Sequence, residues 1–176
     1  TMAKTIISVD IKKPPTEQPT PLHNRWHPDI PPVVTVKPGD DFIVEALDWT
    51  AGQIKNDDNA ADVRDCYLPP CHHLVGPIEV TGAEPGDILV VDILDIGPLK
   101  GNEWGYTGIF KTANGGGFLT DIFPEARKAI WDCKGIYATS RHIPKVRFAA
   151  ITHPGLIGCA PSHKLLATWN KREAEL

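Results

Sequence analysis

The amino-acid sequence predicts a mainly β fold, a sandwich or a distorted barrel, with short helices near 121–132 and 162–175. The first observation is composition. Proline and glycine supply 17 and 15 of the 176 residues, well above their usual combined share of about 12%. Such frequent breaks exclude a core of long helices. The second observation is that β-branched, partly alternating apolar runs recur along the chain, a pattern typical of strands.

Two stretches, 33–49 and 78–96, each place a Pro-Gly-Asp turn between two apolar runs. The turns lie at 38–40 and 85–87. Proline presets the backbone angle that a turn requires, and glycine accepts positive φ. The sequence therefore predicts two β-hairpins of the same design.

Two later segments favour helix. In residues 120–131, Thr120 or Asp121 can cap the first turn, and Pro124 stands before a run of good helix formers. In the second segment, Ser162 can cap a helix that continues toward the last residue. We expect short helices at both places.

The length is enough for one domain with a buried core. We expect a Pro-rich extended arm at 1–32 and a single β-rich domain at 33–176. The first residues contain no apolar segment typical of a secretory signal, so we expect a cytoplasmic location. In that compartment the four cysteines are expected to be thiols or metal ligands rather than disulfides.

The charge balance restricts the partners. Eighteen Lys and Arg residues stand against 22 Asp and Glu residues, giving a net charge of −4 without a basic stripe. This argues against nucleic acid. No apolar run approaches the roughly 20 residues needed to cross a bilayer, so a membrane partner is not expected either. The sequence favours a soluble protein with a small ligand.

The first candidate functional segment is the loop at 48–58, which contains Asp48, Gln53 and Asp58. Carboxylate and amide oxygens can bind a divalent cation, or can pair with a polar substrate. Asn and Asp are also good turn formers, so a solvated turn is the alternative interpretation.

The second candidate is a Cys and His cluster before the strand expected at 78. It contains Cys66, Cys71, His72 and His73, and sulfur and imidazole ligands suit zinc. Since adjacent residues of an extended segment face opposite ways, at most one of the two histidines is expected to enter a site. Free cysteines are often small buried hydrophobes, and this alternative stays open.

The third candidate is the loop at 152–162, which holds His153, Gly158 and Cys159. It precedes the helix that Ser162 is expected to cap, and a helix N-terminus favours a thiolate. Backbone N–H groups around Gly158 could bind a developing oxyanion. The alternative is a buried thiol in a Gly- and Pro-rich turn.

Taken together, the sequence resembles the acetamidase/formamidase family, most closely its formamidase branch, from about residue 5 to 171. The resemblance rests on several colinear segments: PLHNRWHP at 21–28, DWTAGQI at 48–54, GPIEV at 76–80 with AEPGD at 83–87, ATSRHIP at 138–144 and HPGLIGCAPS at 153–162.

The resemblance implies a β-rich, homo-oligomeric enzyme that hydrolyses formamide or a similarly small amide to ammonia and the carboxylate, with a divalent metal, suspected to be zinc. Members of the family are longer and continue past the position of Leu176. The alternative function is therefore a truncated, non-catalytic metal- or ligand-binding β-domain. A third possibility is a metal-independent hydrolase with Cys159 as nucleophile.

We expect six side chains to converge on one pocket, those of Asp48, Gln53, Asp58, His72, His153 and Cys159. Asp48 and His72 are the expected metal ligands or orienting groups, and Gln53 and Gly158 are expected to bind the substrate. His153 is expected to carry protons. Asp58 is also assigned to catalysis, and Cys159 is either the nucleophile or part of the pocket wall.

Overall fold

The computed structural model describes residues 3–176, so Thr1 and Met2, where the predicted arm begins, lie outside the described residues. The described elements are mostly strands, with few and short helices, which confirms the predicted mainly β class. The strands are Lys4–Ile7 (β1), Val34–Val36 (β2), Phe42–Val44 (β3), Ile78–Val80 (β4), Trp104–Ile109 (β5), Arg127–Lys134 (β6), Tyr137–Thr139 (β7) and Arg147–Ala149 (β8). The helices are a short 3₁₀ helix at Pro15–Glu17, α1 at Ala61–Arg64 and α2 at His163–Ala174.

The chain divides into two compact units, each assembled from segments that are distant in the sequence. Among the described residues, unit 1 comprises 3–51, 72–92 and 156–176, and unit 2 comprises 52–71 and 93–155.

Unit 1 contains two short pairs of parallel strands. β1 pairs with β3, and β2 pairs with β4. In the second pair Val36 stands opposite Val80, so that β-branched side chains meet across the strands. The side chains of Ile7 and Val36 are buried. β1 lies within the segment expected to be an arm, while the predicted division at 1–32 and 33–176 stays a prediction.

Unit 2 is built on an antiparallel sheet in the order β5-β6-β7-β8. Because β6 pairs with a strand on each side, it is a central strand of this sheet. The core beside it contains Ile54, Val63, Cys66 and Ala126, with Leu68, Tyr106 and Phe110 packed against them. Val63 belongs to α1 and is fully buried. Its burial therefore ties the loop before α1 to the core.

The two Pro-Gly-Asp turns form, but the predicted hairpins do not. Asp40 N–H donates to Lys37 O at 3.1 Å, and Asp87 N–H donates to Glu84 O at 3.0 Å. Among the described residues, however, β2 and β3 pair with other strands, and no strand forms in residues 88–96 directly after the second turn. The prediction of hairpin pairing was wrong because a turn sequence fixes the local bend, whereas the choice of partner depends on distant strands.

The prediction of a helix near 121–132 is also wrong, because this segment contains turns and the start of β6. Turns occupy the residues up to Ile122, with Phe123 N–H donating to Leu119 O at 2.7 Å, and β6 begins at Arg127. The side chain of Ile130 is completely buried in β6. Strand pairing on both edges and the burial of Ile130 outweigh the helix propensity of the Ala, Arg and Lys residues in this segment.

The second predicted helix is confirmed as α2. Ser162 Oγ accepts the N–H of Leu165 at 3.1 Å, as expected for an N-cap. The helix runs from His163 to Ala174. Neither α2 nor any other helix of the described residues combines the length and the apolar character that crossing a bilayer requires.

Candidate functional site

A loop in unit 2 leads into α1 and carries Asp57 and Asp58. We call residues 55–62, which comprise this loop and the first two residues of α1, the acidic loop. Its own side chains shape it: Asn59 N–H donates to Asp57 Oδ1 at 3.0 Å, and Ala61 N–H donates to Asn59 Oδ1 at 2.9 Å. Bonds of this kind, from a backbone N–H to an Asx side chain two residues earlier, define Asx turns. The local sequence therefore explains why this segment turns into α1.

Two residues that follow β7 hold the Asp58 carboxylate. Arg141 Nε donates to Asp58 Oδ1 at 2.8 Å, and His142 Nε2 lies 2.9 Å from the same oxygen. Both terminal nitrogens of Arg141 also lie 3.2 Å from Asn56 Oδ1. Asp58 Oδ1 thus accepts hydrogen bonds from two side chains. Its Oδ2 has no hydrogen bond to any part of the chain that the structure describes.

The ring of His142 is fixed at both nitrogens. Ile130 N–H, in β6, donates to Nδ1 at 3.0 Å, so the proton of the neutral ring lies on Nε2. Nε2 then donates to Asp58. His142 N–H donates to Oγ of the buried Ser140 at 3.1 Å. His142 is therefore a hydrogen-bond donor to Asp58, and neither of its ring nitrogens is positioned to accept a proton from a substrate.

The hydrogen bond from Arg141 lowers the pKa of the Asp58 carboxyl below its usual value, and His142 adds to this effect against opposing desolvation. The Asp58 side chain is 75% exposed. It is therefore ionised at neutral pH, and an ionised carboxylate can only accept hydrogen bonds or bind a cation. The environment suits recognition of an N–H group or of a metal better than proton donation.

Lys128, in β6, reaches the same loop. Its Nζ donates to Asp57 Oδ1 at 2.7 Å, to Asp62 Oδ2 at 2.8 Å and to Lys55 O at 2.9 Å. Its side chain is only 1% exposed, and three acceptors match the three donors of an ammonium group. Burial lowers the pKa of Lys128, but the hydrogen bonds to the two carboxylates outweigh burial and raise it above its usual value. Lys128 is therefore charged.

The Gln53 side chain binds the backbone of Tyr67 with both ends of its amide. Nε2 donates to Tyr67 O at 3.0 Å, and Oε1 accepts Tyr67 N–H at 2.8 Å. Cys71 Sγ donates to the same Tyr67 O at 3.5 Å. In this structure Gln53 therefore orders the segment around Tyr67, and its predicted contact with substrate stays a prediction.

In unit 1, Trp49 connects the segments that carry Asp48 and His72. Asp48 Oδ2 accepts the backbone N–H and the hydroxyl of buried Thr50 at 3.0 and 2.6 Å. The His72 ring packs edge-on against the Trp49 ring, with centroids 5.2 Å apart. Next to it, His73 N–H donates to Trp49 O at 3.0 Å. The predicted metal ligands thus lie on segments that pack against each other.

The environment of His73 differs from that of a solvated histidine. Burial lowers the pKa of the His73 imidazole below its usual value of 6.5, and the nearby Asp48 carboxylate opposes the shift. The ring is consequently neutral at pH 7.

Gly158 and Cys159 lie in unit 1 before α2, and Cys159 is exposed. A Cβ built on Gly158 would stand 3.1 Å from ring atoms of Trp26, so glycine permits close packing there. His153 belongs to unit 2, is exposed, and accepts Gly155 N–H on Nδ1 at 3.1 Å.

The predicted site residues are divided between the units. Unit 1 contains Asp48, His72, Gly158 and Cys159, and unit 2 contains Gln53, Asp58 and His153. Their convergence on one pocket stays a prediction.

A family model described as the acetamidase/formamidase family matches residues 8–176, which is nearly the whole chain. The chain belongs to the acetamidase/formamidase family. A formamidase from Methylophilus methylotrophus is 62% identical over 173 residues, covering 98% of this chain and 42% of that relative. An acetamidase from Mycolicibacterium smegmatis is 59% identical over 182 residues, covering 99% of this chain and 45% of that relative.

Among solved structures, the chain is similar to the gamma lactamase from Delftia acidovorans. It superposes with a TM-score of 0.95 at 56% identity, covering 99% of this chain and 42% of that one. The chain therefore spans less than half the length of these relatives.

The family resemblance implies a divalent metal, and a metal site needs several ligating side chains close together. Among residues 3–176, no group of three or more His, Cys, Asp or Glu side chains is arranged to hold a metal ion. A catalytic zinc site takes three protein ligands, and Asp48 with His72 would supply two. The described residues therefore do not form a complete zinc site by themselves, and zinc stays a prediction.

Sequence reasoning did not assign Lys128, Arg141 or His142 to the site. Arg141 and His142 lie in the ATSRHIP segment that supports the family resemblance, and this was the available signal. Lys128 gave no such signal, because it lies in the segment wrongly predicted to be a helix.

Proposed function

We propose that this chain carries part of the active site of an amide hydrolase of the formamidase type. The proposed reaction converts formamide or a similarly small amide to ammonia and the carboxylate. The observation that supports it is identity of 62% and 59% along nearly the whole chain to relatives named formamidase and acetamidase. At this similarity a shared reaction class is the simplest inference, whereas the preferred amide is open to experiment.

The names of three relatives share one chemical feature. Formamide, acetamide and a γ-lactam each contain an amide C–N bond, and each carries at least one N–H. Hydrolysis forms a bond between the water oxygen and the carbonyl carbon, breaks the C–N bond, and moves a proton to the departing nitrogen. The enzyme must therefore activate the water, stabilise the oxyanion and deliver that proton.

We assign recognition of the substrate nitrogen to Asp58. Its carboxylate is ionised, and Arg141 and His142 both bind Oδ1. Oδ2 is left to accept an N–H of the amide. Arg141 and His142 act as positioning residues because their contacts fix the direction in which Oδ2 points.

The remaining roles follow the sequence expectations and are proposals. His153 carries the proton to the leaving nitrogen, and the Gly158 backbone N–H contributes to the oxyanion site. Cys159 is the nucleophile or part of the pocket wall. Asp48 and His72 would contribute to a metal site, and a divalent metal such as zinc would supply a water of lowered pKa.

Oligomerisation and location are also proposals. Leu165 and Trp169 on α2 are 42% and 36% exposed, and apolar surface of this kind promotes association. We expect a cytoplasmic homo-oligomer, which light scattering of the purified chain tests; a monodisperse monomer would contradict the association.

The alternative function is a truncated, non-catalytic metal- or ligand-binding β-domain, and the observation that favours it is that the chain covers only 42% and 45% of these relatives. Ammonia release from formamide and acetamide separates the two functions. The chain is assayed alone and fused to the remaining part of the Methylophilus formamidase, each with and without a chelator. Turnover that is lost in Asp58→Asn supports the proposal, and chelator-resistant turnover that needs Cys159 supports the cysteine mechanism. No turnover in either form would leave the binding domain as the better description.

A further inference from the structure

We propose that Lys128 is a positioning residue that holds the acidic loop so that Asp58 keeps its contacts with Arg141 and His142. This inference rests on the proposed function, since it assigns Lys128 to the site that contains Asp58. Lys128 Nζ makes no hydrogen bond to Asp58, so its action is indirect.

Lys128 makes three hydrogen bonds with one loop. Lys55, Asp57 and Asp62 lie at the start, the middle and the end of the acidic loop, and all three bind the single Nζ. The ammonium therefore fixes three points of a segment of eight residues, from Lys55 to Asp62. Asp58 is adjacent to one of these points.

Strand β6 holds Asp58 by two routes. The Lys128 side chain fixes Asp57, and the backbone N–H of Ile130, two positions later, binds the His142 ring that donates to Asp58. One short stretch of β6 therefore positions both the loop that carries Asp58 and the histidine that orients it.

Lys128 also balances the charge of two carboxylates in the acidic loop. Without Lys128, the carboxylates of Asp57 and Asp62 would lose their shared cation, and both accept from the same Nζ at present. Like charges at this spacing repel. We expect the loop to open, which would move Asp58 away from Arg141 and His142.

The test compares Lys128→Met with Lys128→Arg and with Lys134→Met, a matched control at an exposed lysine of the same strand. Carbon-detected NMR follows the Asp58 carboxyl titration, and nitrogen NMR follows the protonation of the two His142 ring nitrogens. The expected result in Lys128→Met is a raised Asp58 pKa and loss of the fixed His142 tautomer. Lys128→Arg restores both signals in part, and Lys134→Met leaves them as in the parent chain.

A further variant separates position from charge. Lys128→Met combined with Asp57→Asn and Asp62→Asn removes the unpaired carboxylates as well as the lysine. If the loop position matters, the Asp58 and His142 signals stay altered in this triple variant. If the triple variant instead shows the Asp58 and His142 signals of the parent chain, Lys128 only neutralises the two carboxylates and does not hold the loop in position. That result would overturn the proposal.

Two outcomes need their own readouts. If Lys128→Met does not fold, Asp57→Asn, which retains the Lys128–Asp62 pair, is expected to loosen the fixed His142 tautomer in part, and an unchanged His142 tautomer would contradict the proposal. In the fusion with amidase activity, kcat is expected to fall on the order of 100-fold in Lys128→Met, as for a slight misplacement of a reacting group. If the parent fusion has no activity, the proposed function fails, while the NMR result still decides the role of Lys128.

Discussion

The backbone N–H of Ile130 donates to Nδ1 of His142 at 3.0 Å. This bond links a completely buried residue of β6 to the ring that contacts Asp58. It determines which ring nitrogen carries the proton, because a nitrogen that accepts a hydrogen bond has a free lone pair. The orientation of an exposed carboxylate is thus set by the backbone of a central strand.

Replacing His142 with Ala is expected to leave the Ile130 N–H without its acceptor. We expect the free energy of unfolding to fall by about 1–3 kcal/mol, the usual cost of an unsatisfied buried donor, together with a rise in the pKa of Asp58. Urea unfolding and carboxyl NMR measure the two effects. His163→Ala, at an exposed histidine of α2, is the control. Equal unfolding free energies for the two variants would contradict this role of the His142 ring.

Substrate choice tests the role of Asp58. If Oδ2 accepts an N–H of the amide, formamide and N-methylformamide should be hydrolysed by the active fusion, and N,N-dimethylformamide should not. Asp58→Asn should lower kcat/KM for the first two by about 10-fold or more, the scale of a lost hydrogen bond to a charged group. Hydrolysis of the dimethyl amide at a rate similar to formamide would remove Asp58 from nitrogen recognition.

Low pH should destabilise the chain through His73. The folded-state pKa of His73 is lowered, so the unfolded chain binds more protons between the folded value and 6.5, and stability falls as the pH drops below 6.5. Unfolding free energies at pH 7.5 and 5.5 measure the fall. His73→Gln should reduce it, whereas His153→Gln, at an exposed position, should not; the same slope in all three proteins would exclude His73 as the cause.

The zinc prediction can be checked by elemental analysis of the purified protein. If His72 is a ligand, His72→Ala should lower zinc affinity by at least about 10-fold. His163→Ala serves as the matched control. Zinc content that is negligible in the parent chain and in the fusion would reject the metal.

Gly158→Ala should destabilise unit 1, because the new Cβ would meet the Trp26 ring at 3.1 Å. Overpacking of this kind typically costs about 1–3 kcal/mol, and thermal unfolding measures it. Gly97→Ala, where nothing lies within 4 Å of the added Cβ, is the control. An unchanged midpoint in Gly158→Ala would show that the Trp26 ring yields without cost.

The sequence was sufficient for features determined by neighbouring residues. The Ser162 cap and the two Pro-Gly-Asp turns depend on side chains and φ angles within a few positions, and the structure contains all three. The partners of β2 and β3 depend on strands far along the chain, and the hairpin prediction failed there. The same distinction explains the 121–132 segment, since the burial of Ile130 results from packing that local propensity does not reveal.

The candidate site shows the same limit. Asp58 was chosen from its place in a polar loop, but its partners Arg141 and His142 stand more than 80 positions later. Lys128 is the harder case, because a lysine in a strand is ordinarily solvated. Only the positions of Asp57 and Asp62 explain its burial.

The interleaved segments bear on the order of folding during synthesis. Among the described residues, the last segment of unit 2 ends at position 155, whereas unit 1 also includes 156–176 with α2. A chain that emerges from the ribosome N-terminus first can thus complete the sheet of β5 to β8 while β1 to β4 still lack α2. Ribosome-bound chains stalled at the length at which residue 155 has just emerged should accordingly protect unit 2 from proteolysis before unit 1.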